Sequence, residues 1–356
     1  MADFTTHYDW PRTRTYDADT TMVISSRGPG KTYGLRYTFV SDYLKRGIRF
    51  AEVTRRANEL TDLSFGYFDK MTANDEFPDH VFKSTSTKAF IAERPAEGEK
   101  PEWQLIGYFV SLSQMQLCKK RTFVNVRNIL MDEAVLDARD RNHDYLTNEW
   151  GLLAQMVDSL TREHAGDVDR LGKPHVYLLG NKCDLLNPYF AVCGLTDEPP
   201  YGYTWHRGKT FLIHNVEPGE YEDRKMAETV TGRMAAGTDE EQVLRGEGFT
   251  GSNPDFVHRR PRTAKYQFGI VFHGDRFGIW YDERQAYFYV DSKIPNNAAN
   301  VYALTTEDNR INYIMAKSSE KFLRSFCEFY GMGMIRFSTV VIRNKFNRVM
   351  RLFGYR

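Results

Sequence analysis

The sequence lacks the features of several protein classes. Of its 356 residues four are cysteines, and none of them forms a CxxC pair or stands at metal-ligand spacing to a histidine. We therefore expect buried thiols in a reducing compartment, and neither a disulfide framework nor a zinc site. The uninterrupted apolar runs are far shorter than the ~18 residues that cross a bilayer, and the chain does not open on a basic-then-apolar signal segment. These absences argue against membrane and secreted classes, and we expect a protein that stays in the cytoplasm where it is made.

The composition is that of a folded protein. Hydrophobic residues make up 41% and charged residues 27% of the chain, which provides enough apolar surface to offset the loss of chain entropy. A length of 356 residues exceeds the usual size of one domain, so we expect two, each with its own core.

The charge is unevenly distributed, and this suggests the domain boundaries. Residues 259–356 carry 17 Lys and Arg against 8 Asp and Glu, whereas residues 217–258 carry 4 against 10. We predict an N-terminal domain over residues 1–216, an acidic and partly helical linker over 217–258 and a basic C-terminal domain over 259–356. The basic domain favours a polyanion partner, although a solvated basic surface would give the same pattern.

Alternating strand-like and helix-like segments predict a parallel α/β sheet in the first domain. We expect strands at residues 21–25, 49–54, 105–112, 128–131, 176–180 and 210–214, and helices at residues 31–46 and 149–163. In the second domain, segments 266–272, 277–282 and 286–291 predict an antiparallel meander, followed by helices near 318–331 and 340–353.

The first of these strands leads into a partial P-loop. Gly30, Lys31 and Thr32 supply the second half of GxxxxGK[ST], while Ser25 stands where the first Gly is expected. In such a loop backbone N–H groups surround the phosphates, the lysine reaches the β- and γ-phosphates, and the Thr hydroxyl is a Mg²⁺ ligand. An ordinary strand-turn-helix would also fit. The expected nucleotide-binding residues are Arg27, Gly28, Pro29, Gly30, Lys31, Thr32 and Tyr33.

A second apolar strand ends in two acids, Asp132 and Glu133, as in a Walker B segment. We expect Asp132 to hold Mg²⁺ and Glu133 to activate the attacking water. A pair of acids after a strand is common on surfaces, but its occurrence ~100 residues after a P-loop is much rarer.

Asn181 follows a third strand, and two functional interpretations compete. It could sense the γ-phosphate, or it could begin an NKxD guanine motif with Asp184. The GTPase interpretation requires a DxxG segment, and Asp132-Glu-Ala-Val135 lacks its Gly, so the sensor is preferred. A polar residue that merely ends a strand is the third alternative.

Together these segments resemble the DNA-packaging (encapsidation) ATPases of phi29-like tailed bacteriophages. The resemblance runs nearly end to end and rests on the loop at residues 26–32, Met131-Asp-Glu133, Asn181 with NPYF at 187–190, GIWYD at 278–282 and NVYALTTED at 300–308. It implies a ring-forming P-loop ATPase domain of the additional-strand (ASCE) type, a linker, and an α+β C-terminal domain with an RNase H-like fold that has lost cleavage. Ser25 and the long linker depart from the pattern.

The resemblance also implies partners. It implies a homopentamer that docks on the portal of an empty prohead in the host cytoplasm and uses ATP and Mg²⁺ to pump double-stranded DNA inward, with a structural RNA as a further candidate. The first strand of the second domain carries no acid, whereas an RNase H-like nuclease needs an Asp there, so we expect no nuclease activity.

Ring ATPases need a positive charge from the neighbouring subunit at the transferred phosphate. Arg162 is the candidate trans finger, Arg170 is the substitute, and Arg27 could act in cis. The expected DNA contacts are Arg55, Arg56, Lys119, Lys120 and Arg121, for which plain solvated charge is the alternative.

Two functions remain as alternatives to the packaging motor. One is a stand-alone P-loop NTPase with a GTPase-like role, and the other is a nucleic-acid-binding module with an inactive P-loop. DNA-stimulated ATP hydrolysis distinguishes the motor from both.

Overall fold

The computed structural model describes residues 8–136, 145–162, 171–183, 185, 187–195, 198–238, 241, 244–246, 256, 258–316 and 321–353. The chain forms two compact units. Residues 1–193 and 199–248 make up the first unit, and residues 194–198 and 249–356 make up the second.

The first unit is an α/β unit. Its described strands are β1 (Thr20–Ser25), β2 (Arg49–Thr54), β3 (His80–Thr85), β4 (Lys88–Glu93), β5 (Gln104–Ser111), β6 (Val126–Val135), β7 (His175–Asn181), β8 (Gly202–His206) and β9 (Phe211–Asn215). Its described helices are α1 (Trp10–Arg14), α2 (Lys31–Arg46), α3 (Glu59–Ser64), α4 (Asp69–Ala73), α5 (Met115–Cys118), α6 (Glu149–Thr161), α7 (Pro188–Val192), α8 (Glu220–Glu228) and α9 (Val230–Ala235).

All nine strands form one sheet in the order β3-β4-β5-β2-β6-β7-β1-β9-β8. The central strands are parallel, and β7 lies between the P-loop strand β1 and the acidic strand β6. This inserted strand defines the additional-strand type, so the predicted fold class is confirmed. Because parallel strands have their carboxyl ends at one edge of the sheet, the polar residues that follow β1 and those near the carboxyl ends of β6 and β7 meet there.

The core of this unit explains why the predicted elements form. β1 and β2 are buried over almost their whole length, as expected for parallel strands covered on both faces. Helix α2 packs Leu35 and Phe39 against the sheet and ends at Gly47, whose φ of 68° suits a residue without a Cβ. Burial of each large apolar side chain contributes about 1.5–3 kcal/mol.

Several elements were not predicted. The hairpin β3-β4 extends the sheet beyond β5 by antiparallel pairing, and β8 closes the other edge against β9. These edge strands are half exposed and contain polar residues, so they lack the continuous apolar run that marks the central strands.

The acidic segment predicted as a linker contains helices α8 and α9, both of which belong to the first unit. Its low content of large apolar residues made it look like a connector. The structure shows that its first half packs on the fold of the first unit through polar contacts.

The second unit is built on a six-stranded sheet. Its elements are β10 (Lys265–Phe272), β11 (Asp275–Asp282), β12 (Tyr287–Asp291), β13 (Val301–Ala303), β14 (Ile314–Met315), α10 (Lys321–Gly331), β15 (Ile335–Phe337) and α11 (Val340–Leu352). β10, β11 and β12 form the predicted antiparallel meander. β13 pairs in parallel on the other side of β10, and β14 pairs with β13. This meander flanked by parallel strands is the arrangement expected of an RNase H-like fold.

The carboxylates of this meander are engaged locally. Asp275 pairs with Lys345 at 2.7 Å, and Glu283 pairs with Lys265 at 3.0 Å. Asp282 accepts from the backbone N–H groups of the β11-β12 turn, and Asp291 lies 3.5 Å from Arg260. Within the described residues no group of three or more His, Cys, Asp or Glu side chains is arranged to hold a metal ion.

A membrane-spanning helix is also absent from the described part of the chain, since none of its helices is both long and apolar enough to cross a bilayer.

Candidate active site

The P-loop occupies the turn between β1 and α2. Gly28 has φ 114° and Gly30 has φ 72°, backbone conformations that residues with a Cβ rarely adopt. Gly30 is the N-cap of α2 and has no side chain, so it supplies no capping acceptor to the start of the helix. An uncapped helix start of this kind, next to a lysine, suits a phosphate group.

Lys31 lies inside this loop with 7% of its surface exposed. Its ammonium group donates to Ser25 Oγ at 2.5 Å and to the carbonyl oxygen of Ser26 at 3.0 Å, and it lies 3.4 Å from Asn181 Oδ1. Burial lowers the pKa of Lys31 to about 8, against the opposing effect of the Asp132 carboxylate. Ser25, which replaces the first Gly of the pattern, therefore serves as a hydrogen-bond partner of the lysine.

Thr32 and Asp132, which are 100 residues apart in sequence, are in direct contact. Thr32 Oγ1 donates to Asp132 Oδ2 at 2.8 Å. A hydroxyl and a carboxylate oxygen side by side fit Mg²⁺, which is usually held by one or two protein oxygens together with waters and substrate phosphates.

The strand β6 does not end at the two acids, as the sequence suggested, but continues to Val135 through a bulge. Met131 pairs with Leu178 and Val135 pairs with Gly180, so three residues of β6 lie opposite a single residue of β7. Within the bulge Glu133 has φ 50°, in the left-handed region. A bulge of this kind redirects side chains at the edge of a sheet, and Glu133 is exposed there.

Arg55 forms hydrogen bonds to the backbone of the bulge. Its guanidinium donates to the carbonyl oxygens of Glu133 at 2.9 Å and Ala134 at 2.6 Å, and it forms an ion pair with Glu149 at 3.0 Å. Tyr189 donates to the same Glu149 carboxylate at 2.7 Å. The Arg55 residue is 6% exposed, so the expectation that it contacts DNA does not fit its position. Its location at the end of β2, a strand buried on both faces, directs its side chain inward.

The residues expected to bind nucleotide and Mg²⁺, together with Glu133 and Asn181, line one cleft of about 350 Å³. It contains the loop residues Arg27, Gly28, Pro29, Gly30, Lys31, Thr32 and Tyr33, together with Asp132, Glu133, Gly180 and Asn181. Lys70, on α4, also lines the cleft and was missed, because a single lysine on a polar helix carries no motif. Glu133 additionally lines a neighbouring cleft of about 250 Å³, which includes Arg36 and Arg56.

Arg162 does not belong to this cleft. It follows the last residue of α6, is exposed, and donates to the carbonyl oxygen of Lys119 at 2.7 Å. The Thr161 carbonyl lies 3.5 Å from Arg127, at the beginning of β6. Arg162 therefore lies towards the amino ends of the parallel strands, at the edge opposite the P-loop.

The other residues predicted to contact DNA lie at the surface. Arg56, Lys119, Lys120 and Arg121 are all exposed. Arg170 and Asp184 lie outside the described residues.

Comparison with known proteins identifies relatives along the whole chain. The family profile described as podovirus DNA encapsidation protein (Gp16) matches residues 2–353. The DNA packaging protein of Bacillus phage B103 is 28% identical over 344 residues, which cover 96% of both chains. The corresponding protein of Bacillus phage phi29 is 27% identical over 339 residues, or 95% of both chains.

A solved structure shares the fold over nearly the full length. The chain is similar to one in the bacteriophage phi29 viral genome packaging motor assembly, with a TM-score of 0.75, 25% identity, and coverage of 98% of this chain and 100% of that one. The phosphate loop, the bulged acidic strand and the inserted strand between them are thus accompanied by a match that extends through both units. The chain belongs to the podovirus DNA encapsidation protein (Gp16) family.

Proposed function

We propose that this chain is the ATPase of a phage DNA-packaging motor and that the cleft at the P-loop is its catalytic site. Family membership supports a role in DNA packaging, since the relatives are DNA packaging proteins and the structurally similar chain comes from a genome packaging motor. The observation that carries the catalytic assignment is the 2.8 Å hydrogen bond between Thr32 and Asp132, which joins the phosphate loop to the acidic strand.

The geometry supports a division of roles within the cleft. Lys31 and the first N–H groups of α2 bind the β- and γ-phosphates of ATP. Thr32 and Asp132 would hold Mg²⁺, which would neutralise phosphate charge there. Glu133 takes a proton from the attacking water, and Asn181 contacts the γ-phosphate or that water.

The position of Asn181 favours ATPase over GTPase function. Its side-chain oxygen is 3.4 Å from the Lys31 ammonium group, so the amide lies beside the expected phosphates. An NKxD asparagine would instead be near the base. The absent DxxG glycine argues in the same direction.

Arg162 does not lie at the cleft of its own chain, because it is at the opposite edge of the sheet. Because Arg162 is exposed there, we propose that it acts in trans on a neighbouring subunit of an oligomeric ring, which the family resemblance implies is a pentamer. Arg27, which lines the chain's own cleft, remains the cis candidate.

The exposed cluster of Lys119, Lys120 and Arg121 is the proposed DNA contact, with Arg56 as a second site. These side chains would follow phosphates without reading base sequence. The basic C-terminal domain of residues 259–356 is proposed to face the portal, the prohead or a structural RNA, in the host cytoplasm.

The decisive experiment measures ATP and GTP hydrolysis by the full chain, with and without double-stranded DNA and proheads. We expect hydrolysis of ATP that increases when both are added. A preference for GTP, or a complete lack of hydrolysis under all conditions, would contradict the motor.

A further inference from the structure

Helix α8 reaches the phosphate loop through a buried carboxylate. Ser26 Oγ donates to Glu222 Oε1 at 2.5 Å, across 196 residues of sequence. The other oxygen, Oε2, accepts from the N–H of Gly219 at 2.9 Å, so the carboxylate is oriented by its own helix start. Ser26 is 3% and Glu222 6% exposed. A charge-assisted hydrogen bond shielded from water in this way is among the stronger polar contacts of a fold.

The same segment touches the next two residues of the loop. Lys225 Nζ donates to the carbonyl oxygen of Arg27. The Tyr221 hydroxyl lies over Gly28, only 2.2 Å from where a Cβ would stand, so a side chain there would displace the tyrosine. The backbone of Gly246 also lies close to Ser26, since a Cβ on Gly246 would be 3.0 Å from the Cβ atom of Ser26. The acidic segment therefore forms one wall of the loop.

Glu222 also acts electrostatically on the site. Its carboxylate raises the pKa of Lys31, although burial, the larger effect, lowers that pKa. A negative charge beside a phosphate site opposes anion binding, whereas a hydrogen bond that fixes the loop favours it. The two properties of this one side chain can be separated by substitution.

We propose that Glu222 is a positioning residue of the nucleotide site, which acts through Ser26 to hold the phosphate loop in its binding conformation. The inference rests on the proposed binding of ATP at this cleft. Helix α8, which lies in the segment predicted to be a linker, would thus contribute to nucleotide affinity.

The test compares Glu222→Gln and Glu222→Ala in the full chain. Glutamine removes the charge but keeps both contacts, because its amide oxygen accepts from Gly219 and its NH₂ group donates to Ser26 Oγ. Alanine removes the charge and the contacts. The dissociation constant of MgATP is measured for both variants, and again in a Ser26→Ala background as a double-mutant cycle. Glu228→Gln, an exposed acid on the same helix, is the matched control.

We expect MgATP to bind Glu222→Gln as tightly as wild type or more tightly, and Glu222→Ala roughly fivefold to tenfold more weakly than Glu222→Gln. In the Ser26→Ala background most of that difference should be lost, because only the contact with the Gly219 N–H still distinguishes the two variants. Ser26→Ala alone should weaken binding similarly, which reports the contact even if Glu222→Ala does not fold.

Equal affinities of Glu222→Gln and Glu222→Ala, or an undiminished difference without the Ser26 hydroxyl, would overturn the positioning role while the ATP site stands. A wild-type chain that binds no MgATP would overturn the ATP site itself and the inference with it.

Discussion

The guanidinium of Arg55 donates a hydrogen bond to the carbonyl oxygen of Glu133 at 2.9 Å. The residue it holds is in a left-handed conformation, with φ 50°, inside the bulge of β6. Such backbone conformations cost of order 1 kcal/mol or more and persist where the surroundings hold them. The contact therefore links the end of β2 to the orientation of the proposed general base.

We predict that Arg55→Lys slows ATP hydrolysis by roughly tenfold or more and leaves MgATP affinity within about threefold, because a lysine cannot reach both carbonyl oxygens and Glu149 together. Steady-state turnover and nucleotide titration measure the two effects separately. Arg56→Lys, at the exposed neighbouring position, should change neither when both are measured without DNA. Equal turnover in both variants would show that the bulge needs no support from Arg55.

Removal of the Lys31 ammonium group tests the phosphate loop. We expect Lys31→Ala to lower ATP turnover by at least roughly 10²-fold, since it removes the buried cation nearest the transferred phosphate. Lys45→Ala, exposed on the same helix, is the control. Unchanged turnover in a folded Lys31→Ala protein would refute the P-loop assignment.

Substitution of the two acids of β6 should separate MgATP binding from ATP hydrolysis. Glu133→Gln keeps the Thr32–Asp132 pair, so we expect MgATP to bind normally while hydrolysis falls by roughly 10²–10⁴-fold. Asp132→Asn should instead weaken the Mg²⁺-dependent part of binding. If Glu133→Gln loses nucleotide affinity in a titration, the roles of the two acids have been assigned in the wrong order.

The lowered pKa of Lys31 predicts a pH dependence in the alkaline range. With a pKa of about 8 in the nucleotide-free protein, the ammonium group is protonated at pH 7 and largely neutral at pH 9. We expect kcat/KM for ATP to fall about tenfold between pH 8 and pH 9.5, because the cation that binds phosphate is lost. This fall of kcat/KM at alkaline pH should be absent in Lys31→Ala. A kcat/KM of the wild-type protein that does not change with pH in this range would contradict the role of Lys31 in phosphate binding.

The trans role of Arg162 is tested by mixing subunits. Arg162→Ala alone should bind ATP normally and hydrolyse it roughly a thousandfold more slowly. A mixture of Arg162→Ala with Lys31→Ala subunits can form interfaces that hold one working copy of each part, so DNA-stimulated hydrolysis should partly recover. If mixed rings assemble without recovery, Arg162 acts in cis or braces its helix, and Arg170 becomes the next candidate.

Much of the site could be predicted because its signals are local. The strand, the glycines that permit positive φ, the lysine and the helix start lie within about a dozen residues around Lys31. The two acids of β6 and Asn181 at the end of β7 each follow an apolar run, and parallel strands have their carboxyl ends at one edge of the sheet. The central strands and α2 were located within a few residues for the same reason, since fully buried strands have continuous apolar runs.

The other features of the candidate site depend on long-range packing. Whether Arg55 faces DNA or the protein interior depends on which strands flank β2, and no local pattern records that. The bulge at Glu133 arises from the register of β6 against β7. The contact of Glu222 with Ser26 joins residues 196 positions apart and has no motif on either side. The proposed phosphate-binding loop could be predicted from the sequence alone, because short-range backbone preferences encode it. The fold determines which charged side chains, such as Arg55 and Glu222, form hydrogen bonds to the residues of the cleft, because burial and hydrogen-bond partners depend on long-range packing.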